Sequence, residues 1–412
     1  MLLNKIFNKM LPLSLRGGAL ASKFILIIFI SHNYTLSNLG EYALIVAGVS
    51  YTGYLLGFDF YTYSSRRIIG SSRKEQSSFL KNQFFLYFIH YSLAVLITCM
   101  FVLYEPALKN VAIIFVILII LDHCSLEVMR LLVVYEHPFS ANLQFFIRNG
   151  LWVYAYIPYA FTNADVPFYT IWFFWIVAEI ISIFFIIIVL KKIPFSLIMR
   201  SKIDHQWILQ GLKVCLPLLI STLSLRGMFT ADRYILGYFG NKEIVGVYSY
   251  FSSFSSSIMA FVDASVVMLF YPKLVRYSKE GLRKKYLATK EKFLKALVIT
   301  SLCITATLMI CVPYISKVIK KESFLNSLPL FYILLLGSIM YCVSLVYHFD
   351  LYARNLDRYI IKSSILAFLV SIVLMVILGY LYSSIGIAIS QFIGITVLLI
   401  AKYRFCKLGP YD

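Results

Sequence analysis

The stretch Pro217–Tyr250, PLLISTLSLRGMFTADRYILGYFGNKEIVGVYSY, decides the fold. It is an apolar run, then one charged corner holding Asp232 and Arg233, then a Leu-Gly step and the sequence Gly246-Val-Tyr248-Ser that opens a second apolar run. Two such runs hinged at a charged corner read as two membrane crossings, since about 20 residues of helix cross a hydrocarbon layer about 30 Å thick. Lipid offers no partner to backbone N–H and C=O groups, so the crossings have to be helices.

Working outward, the rest of the 412 residues repeat this pattern. Sixty per cent are hydrophobic and only 14% charged, with a mean hydropathy of +0.82. Soluble domains are about half apolar and a quarter charged, so this is an all-α polytopic membrane protein. Twelve transmembrane spans are expected, at 15–33, 42–60, 83–104, 110–134, 141–161, 167–190, 207–229, 244–270, 293–315, 325–348, 359–380 and 383–402. They divide into two six-helix bundles, residues 1–200 and 201–412. Leu2, Leu3, Ile6, Phe7 and Met10 share a helical face opposite Lys5 and Lys9, which predicts a short helix on the membrane surface ahead of the first span.

The net charge of +19, from 38 Lys and Arg against 19 acids, would in a soluble chain point to nucleic acid. Here its distribution matters more than its sum. Counted over alternate connections, one side holds 27 basic residues and the other 6. Cytoplasmic loops collect Lys and Arg, so both termini are expected in the cytoplasm and nucleic acid is not expected as a partner. The longest basic connection, 273–295, reads either as an amphipathic helix on anionic membrane lipid or as a solvated linker. The seven cysteines form no CxxC and lie mostly in apolar spans, as small buried hydrophobes do. No GxxxxGK[ST], HExxH or GxSxG occurs, which leaves no signature of a built-in ATPase, metalloprotease or serine hydrolase, and no metal or cofactor is implied.

An internal repeat is legible. Tyr34-Thr-Leu-Ser-Asn-Leu-Gly-Glu-Tyr42 opens the second span as Tyr234…Gly246-Val-Tyr248 opens the eighth, and acids follow at Asp59 and Asp263. An even number of spans per half makes the repeats parallel, enclosing a central cavity.

These corners carry a resemblance. Leu-Gly-Glu-Tyr42-Ala, Asp232-Arg233-Tyr-Ile-Leu-Gly-Tyr-Phe-Gly, Gly246-Val-Tyr248-Ser, Phe270-Tyr271-Pro272-Lys-Leu, Leu351-Tyr-Ala-Arg354-Asn-Leu-Asp357-Arg358-Tyr and Ile385-Gly386-Ile-Ala388, in this order and spacing, resemble the polysaccharide-transporter branch of the MOP (MATE-like) exporters. Its best-known members are the Wzx-type O-antigen flippases. The resemblance implies a flippase in the bacterial inner membrane. Such a protein moves an undecaprenyl-pyrophosphate-linked oligosaccharide, an O-antigen or capsular repeat unit, to the outer leaflet by alternating access. A polysaccharide polymerase and a chain-length regulator are then candidate partners.

Ionisable groups inside spans are the candidates for that chemistry, because lipid excludes them unless they face a cavity or a partner. A pyrophosphate needs cations along its path, which singles out Lys23, Arg148 and Arg226 as a cationic lining. Arg130 and Lys213 fall near the inner ends, as interfacial anchors do. His123, Glu127 and Arg130 recur at i, i+4 and i+7 beside Asp122. This polar stripe is either a proton or sodium relay or an ion-pair network that fixes packing. Glu179, deep in the sixth span, is a further coupling candidate, whereas Asp232 and Arg233 read as a structural ion pair fixing their turn. Two alternatives stand beside the flippase. A MATE-type drug exporter with a cationic cargo would favour acids in its cavity, and a membrane polymerase or glycosyltransferase would call for a large outer loop.

Overall fold

The computed structural model describes residues 2–163 and 166–408, with side chains given from residue 14 onward and for Leu11. The chain is helical almost throughout, and its contacts divide it into two compact units. The first holds residues 1–29 and 48–219, and the second holds 30–47 and 220–412.

The first half of the chain forms α1 (Leu2–Asn33), α2 (Leu36–Gly57), a short α3 (Tyr61–Ile68), α4 (Arg73–Tyr104), α5 (Lys109–Val134), α6 (Pro138–Phe146), α7 (Trp152–Thr162), α8 (Thr170–Ile183), α9 (Ile186–Leu190) and α10 (Phe195–Arg200). Helix α1 runs without a break from Leu2, so the expected surface helix is continuous with the first span. The face proposed for it, with Lys5 and Lys9, lies outside the described side chains. Helix α4 starts at a capping box in which the Ser72 N–H donates to Glu75 Oε2 at 2.8 Å and the Ser72 hydroxyl accepts from the Glu75 N–H at 3.4 Å, the reciprocal pairing that satisfies two orphan donors of a first turn. Between α6 and α7 the helix widens into one π turn, Ile147–Leu151.

The core of the first unit has two parts. Ile68, Leu80, Leu131, Leu132 and Val189 form one, against which Phe79 packs. Phe60, Tyr63, Leu86, Tyr87 and Trp207 form the second, with the Trp207 ring stacked on the same Phe79 at 5.1 Å. Between α2 and α3, Phe58 and Asp59 both adopt left-handed φ values of 48° and 51°. L-residues rarely take this conformation. The second span therefore ends at a sharp break, not in a gradual fray.

The second half forms α11 (His205–Met228), α12 (Ala231–Phe239), α13 (Lys242–Val262), a π turn (Asp263–Val267), α14 (Met268–Lys279), α15 (Arg283–Ile319), a short α16 (Glu322–Asn326), α17 (Leu328–Ala353) and α18 (Asp357–Leu408). In the second unit α17 packs on α13, α15 and α18. Helix α18 reverses at Ser383, whose φ is 53°, so its 52 residues make two crossings.

Ten helical runs among the described residues are long and apolar enough to cross a membrane. The break in α18 adds one crossing, and the α6–π–α7 run across 138–162 adds another. The expected twelve are accounted for in this way. The basic connection 273–295 is helical on both sides of a single turn and mostly exposed. Helix α14 continues to Lys279, a three-residue turn at Gly281 (φ 67°) reverses the chain, and α15 begins at Arg283. Glycine supplies the left-handed turn without steric cost, and nothing else in that sequence breaks a helix.

Candidate functional site

The interior charges of the first unit gather where α5 meets α2, α4, α8 and the π turn. Helix α5 brings Asp122, His123, Glu127 and Arg130 to one side because residues three and four apart share a helical face. Two glycines one turn apart on α2 admit them. Asp122 Oδ2 lies 3.8 Å from where a Cβ at Gly53 would stand, and a Cβ at Gly57 would come within 2.5 Å of His123 Nε2.

Glu127 is held from every side. Its Oε2 accepts from Gln83 Nε2 at 2.8 Å and from the Tyr87 hydroxyl at 3.0 Å, while Oε1 pairs with Arg130. Arg130, placed by its position as an interfacial anchor, is instead this partner, and its guanidinium lies 3.5 Å from the Tyr61 ring centroid. His123 is fully buried, with Nδ1 2.6 Å from the Tyr91 hydroxyl and Nε2 3.7 Å from Glu127 Oε1. The ion-pair reading of the stripe describes Glu127 and Arg130 in this structure.

Glu179 is different. It is fully buried on α8, and Oε1 accepts from Trp175 Nε1 at 3.0 Å; Oε2 has no partner of full hydrogen-bond geometry among the described residues, the Ser125 hydroxyl being its further polar neighbour. Asp122 and Arg148 both act on it electrostatically, so these three residues form one cluster. Arg148 enters through the π turn. One extra residue in a turn re-aims the side chains that follow, and here Arg148 is 8% exposed with Nη1 3.5 Å from the Asp122 carbonyl. Its Nε has no hydrogen-bond partner among the described residues. Below the cluster, Ser125, Ser182 and Gln144 bond to one another.

Helix α1 crosses at this same turn. A Cβ on Gly150 would stand 3.0 Å from Ala19 Cα, and the Ser22 hydroxyl donates to the Asn149 carbonyl at 3.2 Å. Lys23 follows Ser22 directly and is exposed, so one exposed and one buried cation flank a single helix crossing. Arg226 is exposed near the end of α11, in the second unit. The two glycines of α2 and the Gln83, Tyr87 and Tyr91 side chains of α4 were missed by sequence reasoning. The Gly-x-x-x-Gly spacing of Gly53 and Gly57 was the available signal.

At the charged corner, Asp232 is fully buried. Oδ1 pairs with Arg233 at 3.2 Å, and Oδ2 accepts from the Tyr248 hydroxyl at 2.8 Å and from Gln391 Nε2 at 3.3 Å. Arg233 also donates to the Phe229 carbonyl and to Ser252 Oγ. The structural ion pair expected there is present. The two repeated corners also touch. A Cβ on Gly40 would lie 1.8 Å from the Lys242 carbonyl oxygen and one on Gly246 2.3 Å from that of Leu36, so only glycine fits at either position. Lys242 pairs with Glu41 at 3.0 Å, and the Tyr234 hydroxyl donates to the Leu44 carbonyl at 2.9 Å.

Neither a family model nor a curated protein matches the sequence. Solved structures do match in fold. A multidrug resistance MATE family transporter of the MOP superfamily, in an inward-facing conformation, aligns over 97% of this chain and 97% of its own, at 14% identity and a TM-score of 0.72. The lipid II flippase MurJ, in an inward closed conformation, aligns over 98% of this chain and 88% of its own, again at 14% identity and 0.72. A MOP superfamily transporter from Pyrococcus furiosus, described as having a binding pocket of reversed polarity, aligns over 97% and 93% at 14% identity and 0.58. The chain has the helical fold of MATE and MurJ transporters.

Proposed function

We propose that this protein is a flippase for a lipid-linked oligosaccharide of the Wzx type. In this reading it lies in the bacterial inner membrane with both termini in the cytoplasm. It passes an undecaprenyl-pyrophosphate-linked O-antigen or capsular repeat unit to the outer leaflet by alternating access, where a polymerase and chain-length regulator receive it. The observation that carries the reading is Lys23. It is an exposed cation near the middle of the 20-residue apolar segment Ser14–Asn33, on the helix that packs on the π turn carrying the buried Arg148. A lysine exposed to lipid at that depth is costly, so its exposure belongs to a hydrated path, and a cation on such a path suits a pyrophosphate better than a cationic drug.

Coupling belongs to Glu179, with Asp122 and Arg148 as its charged neighbours, because a carboxylate with one oxygen unbonded has a place for a proton or a sodium ion. His123 and Glu127 stand behind it as the bonded scaffold of the same interior. The test is movement of a polyprenyl-pyrophosphate oligosaccharide in proteoliposomes, with and without proton and sodium gradients. Lys23→Glu should abolish movement at unchanged membrane abundance. Normal movement by that variant would contradict the reading, and ion-driven export of a cationic dye without lipid movement would favour a MATE-type exporter.

A further inference from the structure

Helix α13 has one accessible strip, and its residues are not those that lipid selects. From Val245 to Ile258 every residue is buried except Ser253, which is part-exposed, and Ser256, which is exposed. Four and seven residues beyond Ser256 the same face carries Ala260, part-exposed, and Asp263, exposed. Asp263 stands six residues from the middle of the apolar run 244–270. At 1.5 Å per residue that is about 9 Å, within a hydrocarbon layer that reaches about 15 Å on either side of its midplane. A carboxylate set against lipid at that depth is costly, so the strip faces water or a polar cargo.

The strip presents acceptors. The Ser253 hydroxyl donates to the Ser249 carbonyl at 2.7 Å and the Ser256 hydroxyl to the Ser253 carbonyl at 3.1 Å, so both protons are used inside the helix while each oxygen keeps lone pairs. An ionised Asp263 can only accept. Two further observations separate this face from a packing seam of small residues. Asp263 opens the π turn Asp263–Val267, one of two among the described residues; the other carries Arg148, and such turns recur at functional sites. Ser249, one turn before Ser253 on the same face, is 4% exposed, and its hydroxyl has no hydrogen-bond partner among the described residues.

We propose that Ser253, Ser256 and Asp263 form a sugar-binding subsite within the second unit, which takes the oligosaccharide of the cargo; it rests on the flippase reading above. Sugar hydroxyls are donors, and a row of acceptors one helical turn apart receives several of them at once, with the carboxylate able to take two. A pyrophosphate consists of acceptors and does not suit this strip. The subsite therefore reads the glycan and not the lipid carrier.

The test is thermal stabilisation of the full chain in phosphatidylcholine nanodiscs by undecaprenyl pyrophosphate, either bare or carrying a neutral disaccharide. Wild type should bind the glycosylated lipid about tenfold more tightly than the bare one. Asp263→Asn should remove that advantage, and Ser256→Ala should reduce it about threefold. Failure of wild type to bind either lipid would contradict the flippase reading and the subsite with it. Equal wild-type affinity for the two lipids, or an Asp263→Asn variant that keeps the wild-type ratio, would overturn the subsite alone. Stabilisation by tetraphenylphosphonium that Asp263→Asn removes, with the lipid ratio unchanged, would assign the strip to a cationic cargo and overturn it too. If Asp263→Asn does not fold, Ser256→Ala is read instead, and an unchanged ratio there overturns the subsite equally.

Discussion

Asp232 and Glu179 are both fully buried carboxylates inside a membrane protein, and they are held in opposite ways. Asp232 uses both oxygens, on Arg233, Tyr248 and Gln391. Glu179 uses one, on Trp175, and its second has no hydrogen-bond partner among the described residues. A carboxylate with every acceptor position filled fixes its surroundings and has little room for a further ion. A carboxylate with an open oxygen has given up that stabilisation, and in return it can change partner. Glu179 is proposed as the coupling acid on this difference in donors, since burial is common to both.

This contrast can be broken by substitution. The largest loss of stability is expected for Asp232→Ala, which strands the Arg233 guanidinium, itself only 15% exposed, without its carboxylate. Breaking a buried pair from one side costs about 3–5 kcal/mol, and thermal unfolding in detergent would measure it. Gly40→Ala and Gly246→Ala come next. Their new methyl groups meet backbone oxygens, which cannot rotate away, so the helices must separate at a cost of about 1–3 kcal/mol. Unchanged stability in either variant would mean that the two corners do not pack as described. Tyr248→Phe removes a single donor from Asp232 and should cost about 1 kcal/mol in the same assay. The smallest change is expected for Glu179→Gln, which keeps the shape, retains an acceptor for Trp175 and removes the buried charge. Its unfolding midpoint should stay near wild type while transport loses its dependence on an ion gradient.

Hydropathy made the twelve spans legible, and the two corners singled out by the internal repeat, around Gly40 and Gly246, are ends that touch. What sequence did not reveal was how each charge is met. Arg148 reads as a cation seven residues into a span, but a π turn re-aims it into the interior, and no residue pattern announces an extra residue in a helical turn. Glu179 looked isolated because its charged neighbours Asp122 and Arg148 come from two other helices. Arg130 was readable both as an anchor by depth and as a member of an ion-pair stripe by its three-residue spacing from Glu127, and the pair with Glu127 is what forms. The run 273–295 left a surface helix and a solvated linker open, and in the structure it is two helical stretches joined at the Gly281 turn. Depth and charge are local properties, and partners are not.

The most direct test of the account is lipid-linked oligosaccharide movement by Glu179→Gln in proteoliposomes, measured with and without an imposed proton or sodium gradient. The account predicts that wild type is accelerated by one of the gradients and that the variant, folded and inserted as well as wild type, is indifferent to both. A variant that still responds to the gradient as wild type does would contradict it.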